Sequence, residues 1–323
     1  MKSLHPILVH SVAFLCLGLT ACPAGRENRM NADASRVVRS ALGAHRWFPG
    51  RTSELEGMVS GFLDGAEPFE SPGRIVAAIA PHAGYRYSGK VAGYTFRAVR
   101  DNARKGHKPE VVVVLGLTHG MRFRGVALMD GDALRTPLGD VALDRESGRM
   151  LAEHDDRIAF NYRPHRSGGI QGGPEHSAEN EIPFVQAALP GVPVVIGLIG
   201  DHDAKTLDVL VEALGALERE KRVLVVASTD LLHDPDYEKV KRTDAETLKR
   251  IAALDHEKLA AEWGGRNPFC CGIGPVLAAI RFAEANGCRK GAVLYSRNSG
   301  DDHPESRGQY VVGYGAVVFC KEP

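Results

Sequence analysis

Residues 74–80 read RIVAAIA and residues 110–116 read EVVVVLG, and each run leads straight into a histidine-bearing loop, APHAGY at 80–85 and LGLTHG at 115–120. The runs are apolar throughout rather than alternating, the pattern of strands covered on both faces. Residues 192–198 (VPVVIGL) and 222–227 (RVLVVA) repeat it, as do 290–295 and 310–319. Helical stretches fall between them at 89–100, 182–189, 204–219, 239–260 and 274–285. Buried strands alternating with helices predict an α/β fold: a single domain whose largely parallel, mixed sheet is covered by helices. Residues 122–144 read as a hairpin or meander turning at Thr136-Pro137-Leu138-Gly139-Asp140, and 157–173 as a long surface loop.

Composition narrows the function classes. The 323 residues are 44% hydrophobic and 25% charged, enough to bury a large core. Lys+Arg and Asp+Glu number 40 each, so no overall field draws the chain to nucleic acid, and no nucleic-acid partner is expected.

The N-terminus reads as a leader rather than as part of the fold. Lys2 gives a positive start, residues 7–19 are almost wholly apolar, and the run ends at Leu19-Thr20-Ala21-Cys22. Residues 1–21 are therefore expected to be a signal peptide, with an apolar run shorter than the ~20 residues a bilayer needs. LTAC resembles the lipobox of bacterial lipoproteins, with Cys22 as the lipidated residue. Residues 22–34 then form a polar tether and 35–323 the folded domain. The expected location is an exported, membrane-anchored lipoprotein on the periplasmic side, touching the membrane only through its lipid. A start at Met30 would instead give a cytoplasmic protein.

The histidines carry the chemistry. Ligands in open α/β sheets collect beyond the carboxyl ends of the strands, where loops present polar groups over an apolar floor. Here His82 and His119 each follow a strand, and Asp230 and His233 follow a third in VVASTDLLHD. Glu175 and His176 precede a helix, where Ser177 is placed to cap it and Glu179 and Glu181 suit its first turn. The remaining histidines of the body, His165 among them, read as surface residues. Gly84, Gly116 and Gly120 serve either as turn glycines with positive φ or as points of close approach to the backbone.

Cys270, Cys271, Cys288 and Cys320 are an even set that an exported protein could pair, but adjacent cysteines bond to one another only with strain. One of Cys270 and Cys271 is then free, as a core residue or as a thiolate near the N-terminus of the helix that follows. Two imidazoles with a thiolate or a carboxylate suit iron, copper or zinc, and ligand type alone does not choose among them.

Seven ordered blocks now carry a family resemblance: AHRWFP at 44–49, APHAGYRYSG at 80–89, LGLTHG at 115–120, TPLGD at 136–140, EHSAENEIPF at 175–184, STDLLHD at 228–234 and CGIGP at 271–275. The chain from about residue 35 to 319 resembles the Memo family, whose prokaryotic members are called AmmeMemoRadiSam system protein B. The resemblance implies a fold similar to class III extradiol dioxygenases and a metal pocket of His82, His119 and Cys271. Asp230 and His233 would line it as the acid–base pair, with Glu175, His176 and Tyr85 in the pocket. It further implies a transition metal, iron first and copper second, with redox or dioxygenase-like chemistry. Other members are treated as binding proteins for phosphorylated peptides, so a non-catalytic module that grips a peptide or small ligand is the alternative. Where the family often has two histidines in the second block, this chain has His119 followed by Gly120.

Overall fold

The computed structural model describes residues 36–264 and 268–322. The leader, the tether and Cys22 lie outside the described residues. From Val37 onward the chain forms one unit.

The strands are β1 (Val38–Ser40), β2 (Arg74–Ala80), β3 (Val111–Leu117), β4 (Val126–Leu128), β5 (Ala133–Thr136), β6 (Gly139–Ala142), β7 (Ile158–Phe160), β8 (Val194–Ile199), β9 (Val223–Ser228), β10 (His233–Asp234), β11 (Gly291–Asn298) and β12 (Val311–Lys321). The main helices are α1 (Thr52–Gly65), α2 (Tyr85–Asn102), α3 (Arg145–His154), α4 (Ile182–Ala188), α5 (Ala204–Glu220), α6 (Tyr237–Ala252) and α7 (Ile273–Ala285).

A large sheet runs in the order β10-β12-β2-β9-β3-β8-β4-β7, with β11 pairing on β12. Its centre, β2-β9-β3-β8, is parallel, and the flanking pairs β12–β2 and β8–β4 are antiparallel. The fold is thus a single α/β domain with mixed sheets covered by helices. The continuous apolar runs explain why. Val111, Val113 and Leu115 of β3 pack into one core layer, with Leu207, Leu210, Leu214 and Leu217 of α5 and the apolar α7. Val112 and Val114 point the other way, into a layer with Leu55, Val59 and Leu63 of α1 and Phe96 of α2. The helix residues recur at helical spacing, so each helix lays one stripe on the sheet.

Several local readings change. The stretch 239–260 is two helices, because Leu254 takes φ of 58° and Asp255 caps the second, His256–Glu262, by accepting from Lys258 N. The 122–144 meander divides: β4 joins the large sheet, while β5 and β6 form a hairpin in a separate three-stranded sheet with β1. That hairpin turns at Thr136–Gly139, where Gly139 has φ of 107°. The 157–173 stretch contains β7 and a short helix, Arg163–Ser167. His165 there is buried, its Nε2 donating to Ala127 O at 3.1 Å, so it is a structural residue rather than a surface one. Among the described residues no helix is long and apolar enough to cross a membrane.

Candidate metal centre

The parallel strands β2, β9 and β3 are neighbours, so their carboxyl ends open on one edge of the sheet. That edge gathers His82 from β2, Asp230 from β9 and His119 from β3. Cys271 arrives from the loop before α7, which is stitched to β9: Cys271 N donates to Asp230 O at 3.2 Å and Gly272 N to Thr229 Oγ1 at 2.9 Å. Gly272 is required there, because a Cβ would lie 2.6 Å from Ser228 O. The stitch places Cys271 Sγ 3.3 Å from His82 Nε2. Cys270 instead packs into the core, which separates the two adjacent cysteines. All four cysteines of the described domain are free thiols.

Ligand atoms of His82, His119 and Cys271 lie within 4.8 Å of one another, as do those of two overlapping groups, His119–Glu175–His176 and Asp230–His233–Cys271. Hydrogen-bond accounting separates them. Ser228 Oγ has one proton and three neighbours: Ser177 O at 2.5 Å, Glu181 Oε1 at 2.8 Å and His82 Nδ1 at 2.9 Å. The carbonyl can only accept, so it takes the hydroxyl proton. Both other partners must therefore donate to the oxygen. It follows that Glu181 is a neutral acid and that His82 carries its proton on Nδ1, leaving the Nε2 lone pair toward Cys271. Burial, followed by the nearby Asp230, likewise pushes the Glu181 carboxyl well above its usual range. Burial, then the neighbouring His119, lowers the His82 pKa to about 3, so its ring is neutral near pH 7.

His119 is fixed in the same sense. Its Nδ1 meets Glu175 Oε1 at 3.0 Å and its backbone N donates to Glu175 Oε2 at 2.7 Å. Oε1 also accepts from His176 N and Ser177 N, at 2.8 and 2.9 Å. Burial raises the Glu175 pKa, but the hydrogen bond and charge of His119 outweigh it and hold the carboxylate down at about 2. The same partner raises the His119 pKa against the lowering effect of burial. A carboxylate with four donors is committed to orienting its neighbours. Glu175 thus acts as the outer partner of His119, in the manner that fixes metal-ligand imidazoles generally. His176 is a sandwiched ring, 3.9 Å from Trp47 and 4.8 Å from His119 by centroid.

The remaining predicted residues fall around this core. Asp230 Oδ1 accepts from His82 N and Ala83 N, at 2.9 and 3.2 Å, and so pins the loop that carries His82. His233 is exposed on β10, its Nδ1 2.7 Å from Tyr310 OH. Tyr85 is buried between Phe48 and Phe184, its hydroxyl donating to Asn180 O at 2.6 Å. Ser177 caps no helix; its Oγ donates to Leu117 O and accepts from Leu117 N, tying the EHS block to the end of β3. Glu179 is buried as well as Glu181, and burial raises its pKa to about 7, so neither acts as a first-turn anion. Gly84, Gly116 and Gly120 lack positive φ. Gly116 is needed because a Cβ would meet Ser177 Oγ at 2.5 Å and Ala178 N at 2.7 Å.

Ser228, Glu181, Trp47 and Tyr310 were given no site role from the sequence, Glu181 being read only as a first-turn anion of the following helix. The first three stood inside quoted blocks, but nothing in a linear reading distinguishes a buried hydroxyl that organises a ligand from one that merely ends a strand.

Comparison with known proteins gives the family of the chain. A family model described as Memo-like protein matches residues 39–318. A MEMO1 family protein of Methanopyrus kandleri is 32% identical over 298 residues, covering 88% of this chain and 99% of the relative. One from Aeropyrum pernix is 32% identical over 293 residues, covering 87% and 99%. Among solved structures, the uncharacterized protein JW3007 of Escherichia coli K12 aligns with a TM-score of 0.45 and 14% identity, over 75% of this chain and 99% of that one. From the matched span and the identities, the chain belongs to the Memo-like family.

Proposed function

We propose that this protein holds one transition-metal ion, iron first and copper second, through His82 Nε2, His119 Nε2 and Cys271 Sγ, and uses it for redox or dioxygenase-like chemistry. The observation that carries the reading is the pairing of the rings: Ser228 and Glu175 occupy the two Nδ1 positions, so Nε2 is the nitrogen each ring has left for an ion beside one thiol. The donor set fits such an ion. Bonds of ~2.1 and ~2.3 Å at a near-tetrahedral angle put a nitrogen and a sulfur about 3.6 Å apart, and the Cys271–His82 separation is 3.3 Å. Imidazole nitrogen and cysteine sulfur as donors select iron, copper or zinc over magnesium or calcium.

When bound, the ion supplies Lewis acidity and one-electron chemistry. The chain supplies the rest. Asp230 holds the loop that carries His82. His233, with Nδ1 engaged by Tyr310, is left to move a proton at Nε2. Crowding by the surrounding protein, which takes water from the ring although its edge is exposed, lowers the His233 pKa against the opposing charge of Asp230, so the ring is a proton acceptor near neutral pH. The test is metal analysis of anaerobically purified protein, wild type against Cys271→Ser. Near one equivalent of iron or copper in the wild type, and a sharp loss in the variant, is expected. Less than about a tenth of an equivalent in both, together with tight peptide or small-ligand binding, would overturn the reading in favour of a binding module.

We also propose that the chain is exported and anchored through a lipid on Cys22, as the LTAC motif supports. Membrane partitioning that survives Cys22→Ser would refute this.

A further inference from the structure

Two segments without a single acidic residue run side by side: residues 37–46 (VVRSALGAHR), which begin with β1, and residues 162–173 (YRPHRSGGIQGG). At one end the Arg39 guanidinium lies 4.2 Å over the Tyr162 ring. At the other, Arg46 Nη1 stands 3.5 Å from where a Cβ on Gly173 would lie, and Gly173 N donates to Ile170 O at 3.2 Å. Burial, then Glu179, raises the Tyr162 pKa, and the charges of Arg39 and Arg166 oppose it, which puts Arg166 within electrostatic reach of the same ring. Asp130 takes Arg39, at 2.7 Å. Arg46, Arg163 and Arg166 are exposed, and among the described residues none of them pairs with a carboxylate. Large apolar side chains stand out from the same two segments: Val37, Leu42 and Ile170 are 44%, 37% and 51% exposed.

Guanidinium forks match phosphodiester oxygens. A soluble polyanion would use these cations and leave the apolar side chains in water, whereas a phospholipid surface takes both, the phosphates outside and the acyl boundary beneath. The chain also enters this face directly: residues 23–36 link Cys22 to Val37, and a link of that length spans at most about 50 Å. We propose that this face lies on the anionic phospholipid of the membrane that anchors the chain, with Arg46, Arg163 and Arg166 on the phosphates and Val37, Leu42 and Ile170 among the headgroups. The proposal rests on the reading of Cys22 as a lipidated residue and goes beyond an anchor that touches the membrane only through its lipid. Because Trp47 follows Arg46 and stacks on His176, docking brings the metal centre next to the bilayer. Each arginine at an anionic surface is worth about fivefold in binding, so the three together give roughly a hundredfold.

The test is hydrogen exchange, read by mass spectrometry, of the full-length protein in vesicles of phosphatidylcholine alone or of phosphatidylcholine and phosphatidylglycerol in equal parts. Exchange in residues 37–46 and 162–173 is expected to slow at least about tenfold in the anionic vesicles relative to the neutral ones. The slowing should disappear at high salt and in Arg46→Gln/Arg163→Gln/Arg166→Gln, while residues 237–252 exchange alike in both. Equal exchange in the two vesicles, or slowing that survives the triple variant, overturns the proposal. So does slowing by soluble polyglutamate but not by anionic vesicles, which would assign the face to an acidic protein. The mass of the same preparation shows whether Cys22 carries lipid. An unlipidated chain refutes the anchor, and co-sedimentation of that chain with the two vesicles then judges the face separately: at least about tenfold preference for the anionic ones, lost in the triple variant, supports it, and equal binding overturns it.

Discussion

Replacing Ser228 by alanine removes one oxygen and strands two buried donors. The Glu181 acid proton and the His82 Nδ1 proton both point at that oxygen, from 2.8 and 2.9 Å, and Ser228, His82 and Glu181 are almost wholly buried. A buried donor left without a partner costs about 1–3 kcal/mol, so the pair costs about 2–6 kcal/mol of stability in the metal-free protein. Urea unfolding followed by circular dichroism reads this directly. Loss of the outer partner should also weaken metal binding by about 10–100-fold, measured by competition with a chelator. Glu181→Gln supplies the control: an amide N–H replaces the acid O–H, so Ser228 keeps its donor and stability should fall by no more than about 1 kcal/mol. Adding Glu181→Leu to Ser228→Ala should restore part of the loss, since one stranded donor is then gone. A Ser228→Ala variant that loses under about 1 kcal/mol and keeps its metal affinity would falsify the accounting.

Gly116→Ala forces a methyl onto Ser177 Oγ and Ala178 N; it should destabilise the protein by about 1–3 kcal/mol in urea and lower metal loading, because the Ser177 loop carries Glu175. Buried Asp244, whose pKa burial raises to about 7, accepts from Leu232 N. With the folded pKa above the unfolded value, its contribution is fully present below about pH 4 and is lost as pH rises through about 7. Unfolding across this window should show wild type losing stability with rising pH relative to Asp244→Asn, and parallel curves would refute it. Burial, then Asp230 and Cys270, raises the Cys271 thiol well above its usual pKa, so metal binding at pH 7 should release a thiol proton. Calorimetry in buffers of different ionisation enthalpy should show that proton in wild type and its loss in Cys271→Ser.

The parallel core was legible in the sequence because strands covered on both faces have no polar side. RIVAAIA and EVVVVLG are short and are stopped by Pro81 and Gly116, and the second is rich in valine, which favours strand over buried helix; the histidines after them fell at the strand ends that topology makes adjacent. The helix Thr52–Gly65 was missed because its buried Leu55, Val59 and Leu63 are spread among exposed polar residues and its start, Arg51, offers no capping side chain. Apart from the family resemblance, nothing in the sequence tells Cys271 from Cys270; the Asp230 and Thr229 hydrogen bonds turn its Sγ toward His82. The role of Ser228 rests on contacts 146 residues apart along the chain with His82, and no local pattern encodes these.

The central claim is that one thiol and two imidazoles meet at a single ion, and X-ray absorption at the metal edge of anaerobically purified protein tests it most directly. The account predicts one sulfur at ~2.3 Å with two or more nitrogens at ~2.1 Å, the sulfur vanishing in Cys271→Ser and a nitrogen in His82→Ala. A bound ion with oxygen and nitrogen neighbours alone, unchanged by either substitution, would contradict it.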